Sequence, residues 1–208
     1  MEQPASIVDT DGVRPNKKAI DWENVKLTPL EESDADLLYV WQNTPNIRDM
    51  TMGFRFPIQR GAVKEWINSQ REQNAKSRVV FAVRQKEELI GTAQLQNIDQ
   101  YQRRAMLGVY IGESRKRNNG LGFISCTLLI DYAFNGLDLR KIGLEVLSIN
   151  KNAISLYEKL GFQKEGMKRN EYFLDGQYLD VCIYGLQRAD WIINVPSIAN
   201  RLIGQVSN

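Results

Sequence analysis

Leu107 to Tyr132 reads LGVYIGESRKRNNGLGFISCTLLIDY, and a change of period inside it decides the fold. Leu107, Val109 and Ile111 fall on one face, and Met106, Gly108 and Tyr110 on the other, which is strand alternation. From Gly120 onward Leu121, Ile124, Leu128 and Tyr132 recur at helical spacing and form one apolar stripe. Between strand and helix lie Arg115, Lys116, Arg117, Asn118, Asn119, Gly120, Leu121 and Gly122. The first N–H groups of a helix have no partner inside it and sit at the positive end of its dipole, so such a junction favours an anion. Gly120 and Gly122 let a ligand approach the backbone without meeting a Cβ, and the cations at 115–117 add charge. The residues support a phosphate cradle and, equally, a plain strand-to-helix turn with a solvated basic loop. Two commoner phosphate signatures are absent. Ser125 stands where a dinucleotide fingerprint needs its third glycine, and no G-x-x-x-x-G-K-[ST] run surrounds the junction.

The chain around this stretch has 208 residues, enough for one domain with extensions. An apolar fraction of 43% supports a real core, and a net charge of +2 argues against an electrostatic nucleic-acid binder. Cys126 and Cys182 are far apart in sequence and read as small buried hydrophobes in a reducing compartment. Residues 1–20 lack the apolar core of a signal peptide, and no apolar run nears the ~20 residues that span a bilayer. A cytoplasmic protein without a membrane partner is expected. The chain has no histidine, which removes the commonest general base, the commonest zinc ligand and any Ser-His-Asp triad. No metal is expected. Proton transfer must fall to carboxylates, tyrosine, backbone or water.

Working outward, residues 1–20 read as a flexible arm, 21–190 as the domain and 191–208 as a C-terminal extension that packs on the domain or on a second subunit of a homodimer. Val25 to Pro29 is a first strand. A helix starts at Glu31 to Asp36, takes its apolar face from Leu37, Leu38, Val40 and Trp41, and ends near Asn43-Thr44-Pro45. Asn46 to Gly61 is a loop or irregular helix, and Ala62 to Gln73 a second helix. Arg78 to Arg84, Leu89 to Asn97 and the strand ending at Ile111 form a meander. After the central helix, stopped by Asn135-Gly136, come a strand Lys141 to Leu147, a short helix Ala153 to Leu160, and an antiparallel pair Gln163 to Tyr172 and Gln177 to Leu186 turning at Asp175-Gly176. The fold class is α/β with a mixed sheet, antiparallel early and with one parallel crossover.

The element order, R-x-x-G-x-G at Arg117 to Gly122, and Asn150-x-x-Ala153-Ile154-x-Leu156-Tyr157-x-x-Leu160-Gly161-Phe162 together resemble the GNAT acyltransferases over about Val25 to Trp191. Glu165-Gly166 and Gly176-Gln177-Tyr178 resemble the branch of ribosomal-protein N-terminal and spermidine acetyltransferases. The resemblance implies a single-domain fold with a seven-stranded mixed sheet, helices on both faces and a splayed central strand pair. It implies acetyl-CoA as co-substrate, its pyrophosphate held by Asn118, Asn119, Gly120, Leu121 and Gly122 with Arg115 or Arg117 nearby. Its pantetheine arm would lie along Val109, Tyr110 and Ile111 and contact Asn150. Tyr157 would stand near the sulfur and donate to the departing thiolate. Relatives in this branch often carry a carboxylate where this chain has Met106, which cannot take a proton. Glu145 on the neighbouring strand is one candidate base, against the plainer role of a salt-bridged strand residue.

The resemblance implies an amine acceptor, either a small molecule or a protein N-terminus. Arg48, Arg55 and Arg60 with a single acid, Asp49, make Asn46 to Gly61 basic and aromatic. That lining suits a phosphate-bearing acceptor such as a nucleotide-linked amino sugar, with Arg48 and Arg55 as its contacts. A protein N-terminus and a polyamine are the alternatives. A non-catalytic acyl-CoA sensor is the reading from another class, and Tyr157 and Asn150 argue against it, since a pure binder needs no proton donor at the sulfur.

Overall fold

The computed structural model describes residues 25–53, 56–72, 77–112 and 120–192. The arm at 1–20 and the extension beyond 192 therefore lie outside the described residues. Seven strands make one sheet in the order β1-β2-β3-β4-β5-β7-β6. They are β1 (Val25–Pro29), β2 (Arg78–Gln85), β3 (Glu88–Asp99), β4 (Arg104–Ile111), β5 (Lys141–Leu147), β6 (Gln163–Leu174) and β7 (Gln177–Gln187). Every neighbouring pair is antiparallel except β4 and β5. The meander and the single crossover expected from the turn lengths are both present. Asp175 and Gly176 take φ of 48° and 81°, the left-handed pair that a two-residue hairpin needs.

Period-two alternation assigns the two faces. Val83, Ala93, Leu95, Leu107, Ile142, Leu144 and Cys182 pack against α4 (Leu121–Asp131) and α5 (Lys151–Lys159). On the other face Val80 and Ala82 pack with Leu38, Trp41, Val63 and Ile67, which belong to α1 (Ala35–Gln42) and α3 (Arg60–Glu72). A short α2 (Pro45–Met50), with Pro45 in its first turn, occupies part of the segment expected to be loop or irregular helix.

Three expectations change. The stripe Leu121, Ile124, Leu128, Tyr132 is not the inward face of α4 by itself. Phe123, Cys126, Leu129 and Ile130 are more deeply buried than Ile124 and Leu128, and the helix is covered on most sides. It tolerates Ser125 and Thr127 inside because their hydroxyls donate to the carbonyls of Leu121 and Phe123, at 2.7 and 2.9 Å. Its last turn widens into a π-helical turn, Tyr132–Gly136. Leu37 and Val40, expected on the apolar face of the first helix, are 45% and 52% exposed, and only Leu38 and Trp41 of that set are buried. Trp191, the first residue assigned to the C-terminal extension, is 2% exposed and belongs to the main core.

A buried ion pair pins α1 to the sheet. Arg84 Nη2 donates to both carboxylate oxygens of Asp34, at 2.9 and 2.7 Å, and its Nε donates to Thr28 Oγ1 at 3.0 Å. Asp34 also accepts from the Glu31 N–H at 2.8 Å and so caps the turn that leads into α1.

β4 and β5 pair only at Arg104–Lys141, Ala105–Ile142 and Met106–Gly143. Beyond that point β4 stays on β3 and β5 stays on β7, so the central pair splays. Gly91 sets how tightly β3 holds β4 at the mouth of the splay, because a Cβ there would sit 2.1 Å from the Tyr110 carbonyl oxygen. A backbone neighbour cannot rotate away. Gly91→Ala is therefore expected to cost about 3 kcal/mol or more, by the scale of overpacked cores. Thermal unfolding should show Tm lower by roughly 6–12 °C, and an unchanged Tm would mean the strands separate at no cost.

Candidate functional site

The splay opens into a cleft of about 1100 Å³. Val109, Tyr110 and Ile111 of β4 form one wall, and Asn150, Ala153, Leu156 and Tyr157 of the β5–α5 side form the other. Gly120, Gly122 and Phe123 at the start of α4 close one end. Ile47, Met50, Thr51 and Met52 cover the opposite end with Gln94, Gln96, Met106 and Glu145.

Gly120 is the N-cap of α4, with φ of 75°, a left-handed conformation that a side chain would strain. The first hydrogen bond of the helix runs from the Ile124 N–H to the Gly120 carbonyl at 3.1 Å. The preceding N–H groups of Leu121, Gly122 and Phe123 therefore have no acceptor within the helix, as an anion site requires. Gly122 opens onto the cleft, while the Leu121 side chain is buried in the core. Lys151 and Lys159 line the same cleft and add positive charge. Arg115, Arg117, Asn118 and Asn119, assigned to the cradle from sequence, lie outside the described residues.

The Gly112 N–H donates to the Ile90 carbonyl at 2.8 Å, so by alternation the Tyr110 N–H also points towards β3. Val109 then turns its backbone groups the other way, into the splay. An extended chain could pair there, and an N–H in this position can polarise a carbonyl oxygen. Tyr110 and Ile111 line the cleft as well. The Tyr110 side chain lies on the α1 and α3 face, edge-on to Trp41 with ring centroids 6.2 Å apart. Its hydroxyl is buried beside the Thr92 hydroxyl. Burial pushes its pKa up to about 12, with a smaller opposing effect from the nearby Thr92 hydroxyl.

Asn150 caps α5, its Oδ1 accepting from the Ala153 N–H at 3.2 Å. The cap fixes the side chain, and its amide N–H₂ remains to meet a ligand in the cleft. Tyr157 is one of the more deeply set residues of the lining, 8% exposed, with its ring edge-on to Phe162 at 5.8 Å. Burial raises its pKa well above the usual tyrosine range, and neighbouring Cys126 raises it further. Cys126 also lines the cleft, and its thiol is pushed up to about 12 by burial.

Glu145 has the salt bridge expected of a strand carboxylate, accepting from Lys168 Nζ at 2.7 Å, and also faces the cleft. Lys168 belongs to β6 and reaches Glu145 over the intervening β7. The bond to Glu145 holds the Lys168 pKa above its ordinary value. Among the described residues that line the cleft, Glu145 is the only carboxylate.

The basic loop is built differently from its expected role. Arg48 is held by its neighbour Asp49, Nε to Oδ1 at 3.2 Å, and does not line the cleft. Arg60 pairs with Asp36 and stacks on the Tyr39 ring at 4.8 Å. Arg55 lies outside the described residues. Local counting of charge missed Asp36, which comes from another helix. Sequence reading also missed Lys168, Gln94 and the methionine cover. The one available signal was Thr92, Gln94 and Gln96 on alternate positions of β3, with apolar Ala93 and Leu95 between them.

Residues 24–163 match the model of the acetyltransferase (GNAT) domain. The spermidine N(1)-acetyltransferase of Escherichia coli K12 is 33% identical over 169 residues, covering 77% of this chain and 86% of that protein. The ribosomal protein uS5-alanine N-acetyltransferase of the same organism is 31% identical over 105 residues, covering 50% of this chain and 54% of that protein. Among solved structures, the spermidine N-acetyltransferase of Vibrio cholerae in complex with CoA and spermine superposes with a TM-score of 0.75 at 26% identity. That match covers 82% of this chain and 99% of the other. The splayed β4 and β5, the glycine-capped start of α4 and the Asn150–Tyr157 helix thus sit in a chain that belongs to the GNAT family of N-acetyltransferases.

Proposed function

We propose that this chain transfers the acetyl group of acetyl-CoA to the α-amine of a peptide or protein N-terminus. The supporting observation is the acceptor end of the cleft. Among the described residues it offers neutral amides, Gln94 and Gln96, and apolar Ile47, Met50 and Met52, with a single carboxylate already paired to Lys168. A polyamine carries several cations and would want several unspent carboxylates. A nucleotide-linked sugar would want the guanidinium groups that Asp49 and Asp36 hold. A peptide end needs amides for its backbone and apolar surface for its first side chain.

Amine chemistry favours the same acceptor. An α-amine has a pKa of about 7.8 and a primary alkylamine about 10.4, so at pH 7 the neutral fraction differs by roughly 10²–10³-fold. A site with no histidine and with Met106 on the central strand suits the amine that gives up its proton more readily.

The residues then divide the work. Acetyl-CoA, when bound, supplies a thioester. The start of α4 and Lys151 would hold its phosphates, and Val109 and Asn150 its pantetheine arm. The Val109 N–H polarises the acetyl carbonyl. Glu145 takes a proton from the incoming ammonium, directly or through one water, and Lys168 keeps that carboxylate in place. Tyr157 donates its O–H to the sulfur as it leaves. With its pKa far above the ~8.5 of a thiol, Tyr157 stabilises the thiolate as a hydrogen-bond donor rather than giving up its proton outright.

A polyamine acceptor is the second reading, favoured by the relatives named as spermidine acetyltransferases. Release of CoA thiol with N-terminal peptides, spermidine and amino-sugar nucleotides separates them. The peptides are expected to exceed spermidine in kcat/KM by about tenfold or more at pH 7. Spermidine as the better acceptor would move the assignment to polyamines.

A further inference from the structure

A second cavity, of about 450 Å³, lies beside the acceptor end on the α1 and α3 face. Its floor is apolar, made by Ile58, Val63, Trp66 and Val80. Thr92, Gln94 and Tyr110 line both this cavity and the main cleft, so they form the partition between them.

Gln94 is held in a defined orientation. Its Oε1 accepts from Arg78 Nη2 at 3.1 Å. Its Nε2 lies over Gly108, 3.0 Å from where a Cβ would stand on β4. Arg78 has no lone pair, so the carbonyl end of Gln94 must face it and the N–H₂ end must face β4. The absence of a side chain at Gly108 makes room for that amide. The Tyr110 hydroxyl on the same partition is buried beside the Thr92 hydroxyl. A donor amide and the buried Tyr110 and Thr92 hydroxyls therefore stand between the reacting cleft and an apolar recess, and the recess is well above the ~300 Å³ at which ligand pockets begin.

We infer that the second cavity is a subsite for the acceptor: it takes a bulky apolar side chain on the residue bearing the amine, while the Gln94 amide donates to that residue's carbonyl oxygen. The inference rests on the α-amine reading above. It makes the enzyme selective for the first residue of its acceptor, with leucine- or phenylalanine-sized groups preferred over glycine. Arg78 is then a positioning residue, acting through Gln94.

The test uses thiol release from acetyl-CoA with glycinamide, leucinamide, phenylalaninamide, phenethylamine and spermidine. Phenethylamine has the ring and amine of phenylalaninamide and lacks its carbonyl. In the parent, kcat/KM is expected to rise by about tenfold or more from glycinamide to phenylalaninamide. Ala62→Phe fills the cavity from α3, where Ala62 is exposed and the core is not disturbed. It should bring the phenylalaninamide-to-glycinamide ratio down towards one. Gln94→Leu should lower phenylalaninamide about tenfold relative to phenethylamine, as expected when a donor to the substrate is lost. A flat series in the parent overturns the subsite, as does an Ala62→Phe loss that is equal for all acceptors. Turnover of spermidine with none of the amides overturns the α-amine reading and the subsite together, a pattern distinct from amides turned over without discrimination.

Discussion

Tyr157→Phe is expected to bind acetyl-CoA as tightly as the parent and to lower kcat by about 10²–10³-fold, the range of a lost proton donor or charge-stabilising hydrogen bond. The variant keeps the ring, so its packing on Phe162 and its place in the core survive. What disappears is one O–H at the wall of the cleft. The departing sulfur gains charge only as the thioester breaks, so the loss should fall on kcat and leave binding alone. Calorimetric titration with acetyl-CoA and single-turnover thiol release measure the two quantities separately. The pH profile adds a second check. Burial raises the Tyr157 pKa, so the hydroxyl keeps its proton past the ordinary value of 10. Any alkaline fall in kcat below pH 10 in the parent must then come from another group and should survive in Tyr157→Phe. Unchanged turnover would remove Tyr157 from the mechanism.

How much of this could be read from the chain depends on whether the information was local. The strand-to-helix switch at Leu107 to Tyr132 is a change of period, and period is a local property, so β4, α4 and the glycine cap were legible. Asn150 was legible for the same reason, since capping is set by residues three apart. The buried circumference of α4 was not, because a stripe reports one face and says nothing of what a sheet and a second helix cover from other sides. The cleft's charge was misread in both directions. Arg48 and Arg60 look unspent in sequence and are held by Asp49 and Asp36. Glu145 looks like one strand carboxylate among several and becomes the sole described carboxylate of the cleft. Its partner Lys168 follows it by 23 positions and arrives only because β7 inserts between β5 and β6. Sheet order that departs from chain order hides such pairs.

Glu145→Gln is expected to lower kcat/KM for a peptide acceptor by about 10²-fold at pH 6.5–7, within the range of a lost general base. The sign of its pH dependence is the decisive part. Below the pKa of the α-amine, about 7.8, the acceptor arrives as ammonium and the site must remove a proton. Above that value the amine is already neutral in solution. The deficit should therefore shrink as pH rises from 7 to 9, while a merely structural loss from freeing Lys168 would stay constant across that range. Lys168→Met supplies the control, since it breaks the 2.7 Å bond and leaves the carboxylate present. Met106 allows a rescue. Its sulfur lies over Gly143, 2.8 Å from where a Cβ would stand, and Gly143 precedes Glu145 on the same face of β5. A carboxylate at position 106 therefore reaches the same end of the cleft from the neighbouring strand. Adding Met106→Glu to Glu145→Gln should recover about tenfold of the lost rate at pH 7, and the recovery should fade above pH 9. A deficit independent of pH, with no recovery from Met106→Glu, would assign Glu145 to holding β6 against β5 and leave proton removal to water.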